Sequence, residues 1–289
     1  MVLSGFGDTQ TSDTFITKLS GQPHIRFKHG SHRTHPALAN GKNSPDETEF
    51  SVEPEGATHC VVVFHEVWGL VEHTEDVCKR LGKLGFAAFA PNLYKGQGDI
   101  LTPDNIQKAM QGLWDLSLEE RRDKAKVARA LREKGAGEAA RRVAALIYEP
   151  SFRDRILDDA LAAVSKAHMR FDKVATLGFC LGGGLSLNCA TRTNHLTSAI
   201  SFYGQPPPTQ DVNRISVPIL DIHAFQDELI NKSVPGFVGA MLEGGKDLTL
   251  KTYPRTKHGF FNDTRKDVYN WEAANQAWDI TKWFLERTI

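Results

Sequence analysis

The stretch DKVATLGFCLGGGLSLNCAT, Asp172 to Thr191, passes from one periodicity to another without a connecting loop. DKVATLGF is a short, nearly continuous apolar run, as expected of a strand buried on both faces. LSLNCAT reads as the first turns of a helix. The joint is GFCLGGG, Gly178 to Gly184, which fits the pattern glycine, any residue, nucleophile, any residue, glycine. In such a turn the central residue is held in a strained backbone conformation. Side chains at the glycine positions would collide with the strand and helix on either side. The helix start behind Cys180 adds partial positive charge, which favours thiolate over thiol. The N–H of Leu181 would point into an oxyanion hole. The competing readings of Cys180 are a small packing residue and a redox-sensing thiol, with Cys60 or Cys78 approaching it in the fold.

The same alternation extends outward from this joint. CVVVFHE, from Cys60, is a continuous apolar run. VEHTEDVCKRLGKLG sets Val71, Val77, Cys78, Leu81 and Leu84 on one helical face, with Thr74 or Asp76 as capping candidates near its start. FAAFAPN is a further strand, stopped by Pro91. Beyond the elbow come LTSAISFYG, VPILDIHA and DLTLKTYP as strands, SVPGFVGAMLEGG as a helix and VYNWEAANQAWDITKWFLERT as a C-terminal helix. Strands alternating with helices predict an α/β fold, a mostly parallel doubly wound sheet with helices on both faces. Ligands in such sheets sit beyond the carboxyl ends of the strands. There is no internal repeat.

Two segments depart from this rhythm. Residues 1–56 are polar and aperiodic and predict a mostly irregular N-terminal arm ending in a short edge strand, ahead of a domain over 57–289. His24, His29, His32 and His35 cluster in this arm, but without zinc-type spacing to cysteines, so no metal is expected there. Residues 97–150 form a charged insertion rich in Ala and Arg. Its acids and bases interleave at helical spacing, which predicts exposed helices laced by ion pairs, broken at the GAG of 135–137. Lying beside the site edge, the insertion is a possible lid.

Composition bounds the function. The 289 residues are 40% hydrophobic, with 35 basic and 35 acidic side chains, so the formal net charge is zero. That argues against a general electrostatic grip on nucleic acid or on an anionic membrane. No run of eighteen apolar residues is present, and the first residues lack a basic start followed by an apolar core. Four cysteines without a CxxC pair fit reduced thiols, so a cytoplasmic protein is expected.

The elbow needs a base and an orienting acid. Asp227 follows the strand VPILDIHA, and His258 follows DLTLKTYP, so both lie at strand ends on the elbow's edge of the sheet. His258 would take the thiol proton or hold it as an ion pair, and Asp227 would fix the imidazole. Their rivals are Glu228, Asp263 and the pair Asp221 and His223 within a strand; Cys189, inside a helix, reads as packing. In HEVWGL, after the first buried strand, the N–H of Val67 is placed to complete the oxyanion hole and Glu66 lies near the nucleophile. Gly69 stands where a zinc-protease HExxH would need its second histidine.

FHEVWGL, RLGKLGFAAFAPNLYKG, GFCLGGG, FQDELI and KHGFF together resemble the dienelactone hydrolase family, from about Cys60 to the C-terminus. The resemblance implies an α/β-hydrolase fold and a catalytic set of Cys180, His258 and Asp227. It makes Glu66 the thiol-activating glutamate, displaced by substrate so that it can deprotonate the thiol. The implied reaction is hydrolysis of a lactone or small ester through an acyl-enzyme, with a small-molecule substrate, no cofactor and a monomer or homodimer. Tyr94 matches a family tyrosine near the substrate; Lys95, Trp68 and Phe260 are further substrate-contact candidates. The dienelactone-cleaving members carry arginines where this chain has Gly96 and Asn262, with Lys95 and Arg265 near but unaligned. A different or broader substrate than dienelactone is therefore expected. The alternative function is a non-catalytic hydrolase-like scaffold that binds a partner through the 97–150 helices.

Overall fold

A computed structural model describes residues 25–27, 49–117 and 119–289. Its strands are β1 (Ile25–Phe27), β2 (Glu49–Pro54), β3 (His59–Phe64), β4 (Ala87–Pro91), β5 (Lys173–Phe179), β6 (Ser198–Phe202), β7 (Ile219–Ala224) and β8 (Leu248–Tyr253). They form one sheet in the order β1-β2-β4-β3-β5-β6-β7-β8. From β4 to β8 every neighbouring pair is parallel; β2 lies antiparallel to β4, and β1 antiparallel to β2. The strand predicted as a short edge is thus β2, and it is not the edge: Ile25–Phe27 pairs outside it, with Arg26 opposite Glu53. The histidine cluster of the arm lies outside the described residues.

The apolar runs are continuous because both faces of the sheet are covered. Along β3, Cys60, Val62 and Phe64 point to one side and Val61 and Val63 to the other, all buried. The helices α1 (Glu72–Lys83) and α9 (Trp271–Thr288) cover the Val61 side. The Val62 side is covered by α5 (Pro150–His168), α6 (Leu181–Ala190) and α8 (Val234–Glu243). This is the α/β-hydrolase arrangement expected from the sequence. One detail differs: α1 starts at Val71 without a side-chain cap, and Thr74 is buried within the helix. Glu72 and Glu75 in the first turn complement the helix dipole instead.

Among its described residues the insertion holds three α-helices and one short 3-10 turn. Helix α2 (Pro103–Leu113) was not expected. It is capped by the Thr102 hydroxyl, which accepts from the Asn105 N–H at 3.2 Å, and it starts on a proline. A 3-10 turn (Glu120–Arg122), α3 (Lys124–Glu133) and α4 (Glu138–Ile147) follow, with the predicted break at Gly135, whose φ is +65°. The expected ion pairs are present on the surface, among them Arg129–Glu133 and Lys126–Glu120. Leu113, Val127, Leu131 and Ala144 make a small core within the insertion, while Ile106, Met110 and Val143 join the core beneath the sheet. A four-residue helix, α7 (Glu228–Asn231), follows β7.

The chain runs from β3 outward to β4 and then crosses to β5 on the far side of β3. The loops that leave β3 and β5 therefore diverge, opening a crevice at the carboxyl ends of these two strands.

Candidate active site

Cys180 stands at the mouth of this crevice. Its φ of 54° and ψ of −113° are far from both strand and helix values, and it is half-buried, as is Leu181 after it, where Phe179 before it is buried. The glycines around it are required by close approach of backbones. A Cβ on Gly178 would fall 2.0 Å from the Gly182 carbonyl oxygen, and one on Gly182 would fall 2.2 Å from that of Phe64. The Cys180 N–H donates to the Phe202 carbonyl at 2.9 Å, which ties the elbow to β6. The Leu181 N–H is the first of α6, whose leading N–H groups have no acceptor within the helix. The other cysteines differ. Cys60, Cys78 and Cys189 are buried, and desolvation pushes the thiols of Cys60 and Cys189 up to about 12 and that of Cys78 higher still.

The acid and the histidine meet as expected. Asp227 caps α7, its Oδ1 accepting from the Ile230 N–H at 3.2 Å, and its Oδ2 lies 2.5 Å from Nδ1 of His258. Burial works against a charge on His258, but the neighbouring Cys180 and the hydrogen bond that its Nδ1–H donates to Asp227 outweigh it and hold the imidazole pKa well above its ordinary value. The rivals are elsewhere. Glu228 is exposed, Asp263 pairs with His73 at 3.7 Å, and His223 lies within the sheet, 2.7 Å from Asp221.

The loop after β3 is built as a tight turn. The Gly69 N–H donates to the Glu66 carbonyl at 3.2 Å, and Gly69 takes a φ of +88° that favours glycine. His65 anchors this turn. Its Nε2 accepts from the Leu93 N–H at 3.2 Å, so Nδ1 carries the proton and donates to the Glu66 carbonyl at 2.6 Å. Desolvation lowers the His65 pKa to about 4, in keeping with that neutral tautomer. Tyr94 also supports the turn: it is buried and its hydroxyl donates to the Val67 carbonyl at 3.0 Å.

Glu66 is buried and held from two sides. The Tyr203 hydroxyl donates to Oε1 at 3.2 Å, and Asn262 Nδ2 donates to Oε2 at 2.5 Å. Tyr203 was not singled out from the sequence, where an aromatic after an apolar run reads as core. It is fully buried at the end of β6 with an unusual φ of +42°, and its ring lies 5.0 Å from that of His258. Five neighbouring strands, β3, β5, β6, β7 and β8, thus each contribute a side chain from their carboxyl end: Glu66, Cys180, Tyr203, Asp227 and His258.

Next to this constellation lies a cleft of about 370 Å³, between α2 and the loop after His258. Trp68 lines it, as do Gln107, Gln111 and Trp114 of the insertion, with Asn262 and Arg265 opposite. Of the other substrate-contact candidates, Lys95 is exposed and outside this lining, and Phe260 is fully buried against Tyr203 and Tyr253. No helix among the described residues is long and apolar enough to cross a membrane. No group of three or more potential metal ligands occurs among them.

Known proteins share this architecture and sequence. A protein of Saccharolobus solfataricus named "Putative carboxymethylenebutenolidase" is 37% identical over 245 residues, which cover 82% of this chain and 93% of that protein. A protein of the same name from Aquifex aeolicus is 30% identical over 253 residues, 85% of this chain and 95% of its own. Among solved structures, a dienelactone hydrolase-like promiscuous phosphotriesterase from metagenomic libraries superposes with a TM-score of 0.62. It is 20% identical and covers 93% of this chain and 99% of its own, a likeness of fold. The sequence model that matches residues 49–289 is that of the dienelactone hydrolase family, and to that family of hydrolases the chain belongs.

Proposed function

We propose that the protein hydrolyses a lactone or small carboxylic ester, with Cys180 as nucleophile, His258 as proton carrier and Asp227 as its orienting acid. The observation that carries this reading is the pairing of a strained, displayed Cys180 with an imidazole that Asp227 holds through Nδ1 and that Cys180 itself helps keep protonated. With Nδ1 engaged, Nε2 is the nitrogen that exchanges protons with the reacting groups. The names of the curated relatives, carboxymethylenebutenolidase, direct the choice toward lactones.

The Cys180 thiolate adds to the carbonyl carbon, and the carbonyl electron pair moves to oxygen, facing the N–H groups of Val67 and Leu181. Collapse of the adduct expels the alkoxide, which takes the proton from the His258 imidazolium and leaves a thioester. In a lactone this alkoxide stays tethered to the acyl group. Water then gives a proton to His258 and attacks the thioester. Release of the acid returns Cys180 as thiolate and His258 as imidazolium. Where Cys180 carries its proton when substrate arrives, Glu66, displaced from Tyr203 and Asn262, takes that proton to give the attacking thiolate, and it returns the proton to the Cys180 thiolate once the acid has left; two hydrogen bonds hold Glu66 until then. The chemistry needs no organic cofactor. The four free cysteines support a reducing, cytoplasmic setting.

Replacing Cys180 with Ala and following hydrolysis of an activated aryl ester tests the mechanism. Loss of the nucleophile is expected to lower kcat by about a thousandfold or more. Turnover at the wild-type rate in Cys180→Ala would overturn it.

A further inference from the structure

The charge on the cleft beside Cys180 is nearly cancelled before any ligand arrives. Arg265 is the cation among its lining residues, and its guanidinium is bound in parallel by one carboxylate: Nε to Asp267 Oδ1 at 3.0 Å and Nη2 to Asp267 Oδ2 at 2.8 Å. The same guanidinium lies 5.2 Å above the Trp68 ring. A bidentate carboxylate satisfies an arginine fork in the geometry that a ligand carboxylate would otherwise take. Asn262, in the same turn as Arg265, offers no positive charge. Its amide nitrogen is committed to Glu66 and its oxygen accepts from the N–H and hydroxyl of Thr264 at 3.1 and 2.6 Å. Behind it stands the Glu66 carboxylate, close enough that both Glu66 and Cys180 act electrostatically on Arg265. With Arg265 and Asp267 offsetting one another, Glu66 leaves the surroundings net negative.

The remaining lining suits an uncharged ring. Two indoles, Trp68 and Trp114, offer flat apolar faces, and the primary amides of Gln107 and Gln111 offer donors and acceptors without charge. The cleft, about 370 Å³, is within the size range of small-molecule sites. We infer that this cleft selects uncharged, ring-bearing esters or lactones over anionic ones, and that Asp267 sets the selection by occupying Arg265. This inference rests on the hydrolase reading for the word ester, though not for the binding preference itself. Asp267 is 64% exposed at its side chain, so it can be replaced without disturbing the core.

The test has a binding arm and a rate arm. Titration calorimetry compares 4-hydroxybenzamide with 4-hydroxybenzoate, which differ in charge at one substituent. Rates compare phenyl acetate with 4-carboxyphenyl acetate, each divided by its rate with hydroxide. The wild type is expected to favour the uncharged member of each pair at least tenfold. In Asp267→Asn that preference should fall at least tenfold, because Arg265 is released. In the double variant Asp267→Asn/Arg265→Gln the preference for the uncharged ligand should return. Equal or tighter binding of the carboxylate by the wild type, binding of neither ligand, or an unchanged ratio in Asp267→Asn would each overturn the inference. Melting curves of the variants confirm that each is folded. If binding follows the expected order while no ester is turned over, the hydrolase reading fails and the selection by Asp267 stands.

Discussion

Cys180 and His258 are coupled through charge, and the coupling has a sign that can be measured. Burial alone would lower the imidazole pKa; Cys180 and Asp227 raise it well above 6.5. A proton bound more tightly in the folded state stabilises that state. The contribution is complete below the unfolded value near 6.5 and fades as pH climbs through the folded-state value. In the proposed mechanism the same proton goes to the leaving group, so kcat should decline on the alkaline side as His258 loses it. Histidine NMR is expected to find the imidazole still protonated well above pH 6.5. Cys180→Ala removes the first of the groups that raise the pKa, so the midpoint should move down; an unmoved midpoint would show that thiol and imidazole are not coupled. At this scale the sequence was informative about placement: Glu66, Cys180, Asp227 and His258 each sit past the carboxyl end of a strand. It was uninformative for Tyr203 and Asn262. A buried tyrosine looks like packing, and a short amide after a histidine looks like a turn, until the fold brings both to Glu66. Tyr94 carries the opposite lesson: its hydroxyl supports the Val67 carbonyl, a role hidden in chain spacing.

The strand-to-helix joint is the element on which the site depends. Its glycines are of two physical kinds. Gly182 has no room for a Cβ, which would lie 2.2 Å from the Phe64 carbonyl oxygen and 2.7 Å from that of His65, both backbone atoms that cannot move aside. Gly239, inside α8, has nothing within 4 Å of where its Cβ would be. Gly182→Ala is therefore expected to push α6 off β3 and lose several kcal/mol, enough to deplete the folded protein. Gly239→Ala should stabilise α8 by about 0.5–1 kcal/mol through helix propensity and a less flexible unfolded chain. Urea melts of both variants against wild type check this, and equal effects would mean that the joint is not packed as described. Element types were legible around this joint because each strand is covered on both faces and so reads as one apolar run. The outer side of the sheet was less so: three residues of β1 lie in a polar arm, and only pairing with β2 makes them a strand. Helix α2 escaped for a related reason, since Ile106, Met110 and Leu113 become an apolar stripe only once its Thr102–Pro103 start is recognised.

For the molecule as a whole, the question is whether the 97–150 insertion moves as a lid or stands as part of the core. Composition suggested an exposed, charged appendage, and the surface ion pairs agree with that. The buried side argues otherwise. Ile106 and Val143 are fully buried and Met110 nearly so, in the same cluster as Val62, Phe64 and the apolar face of α5. Helix α2 also supplies Gln107 and Gln111 to the cleft, so the cleft's shape follows from how firmly α2 is seated. Burial of an Ile in such a place contributes enough that truncation to Ala costs about 2–5 kcal/mol. If α2 is integral, Ile106→Ala should lower the stability of the entire domain by that amount, with one transition at which α2 and the sheet unfold together. If the insertion were an independent lid, the variant would melt in two steps, the insertion first, and the main transition would keep its wild-type midpoint. Urea unfolding followed by far-UV circular dichroism and by tryptophan fluorescence separates the two cases. Trp114 follows α2 directly and Trp278 lies in α9 across the sheet, so variants keeping one or the other indole would each report a different body. Coincident midpoints from both are the expected result, and they would mean that access to Cys180 is governed by side chains of the cleft and not by opening of the helices above it.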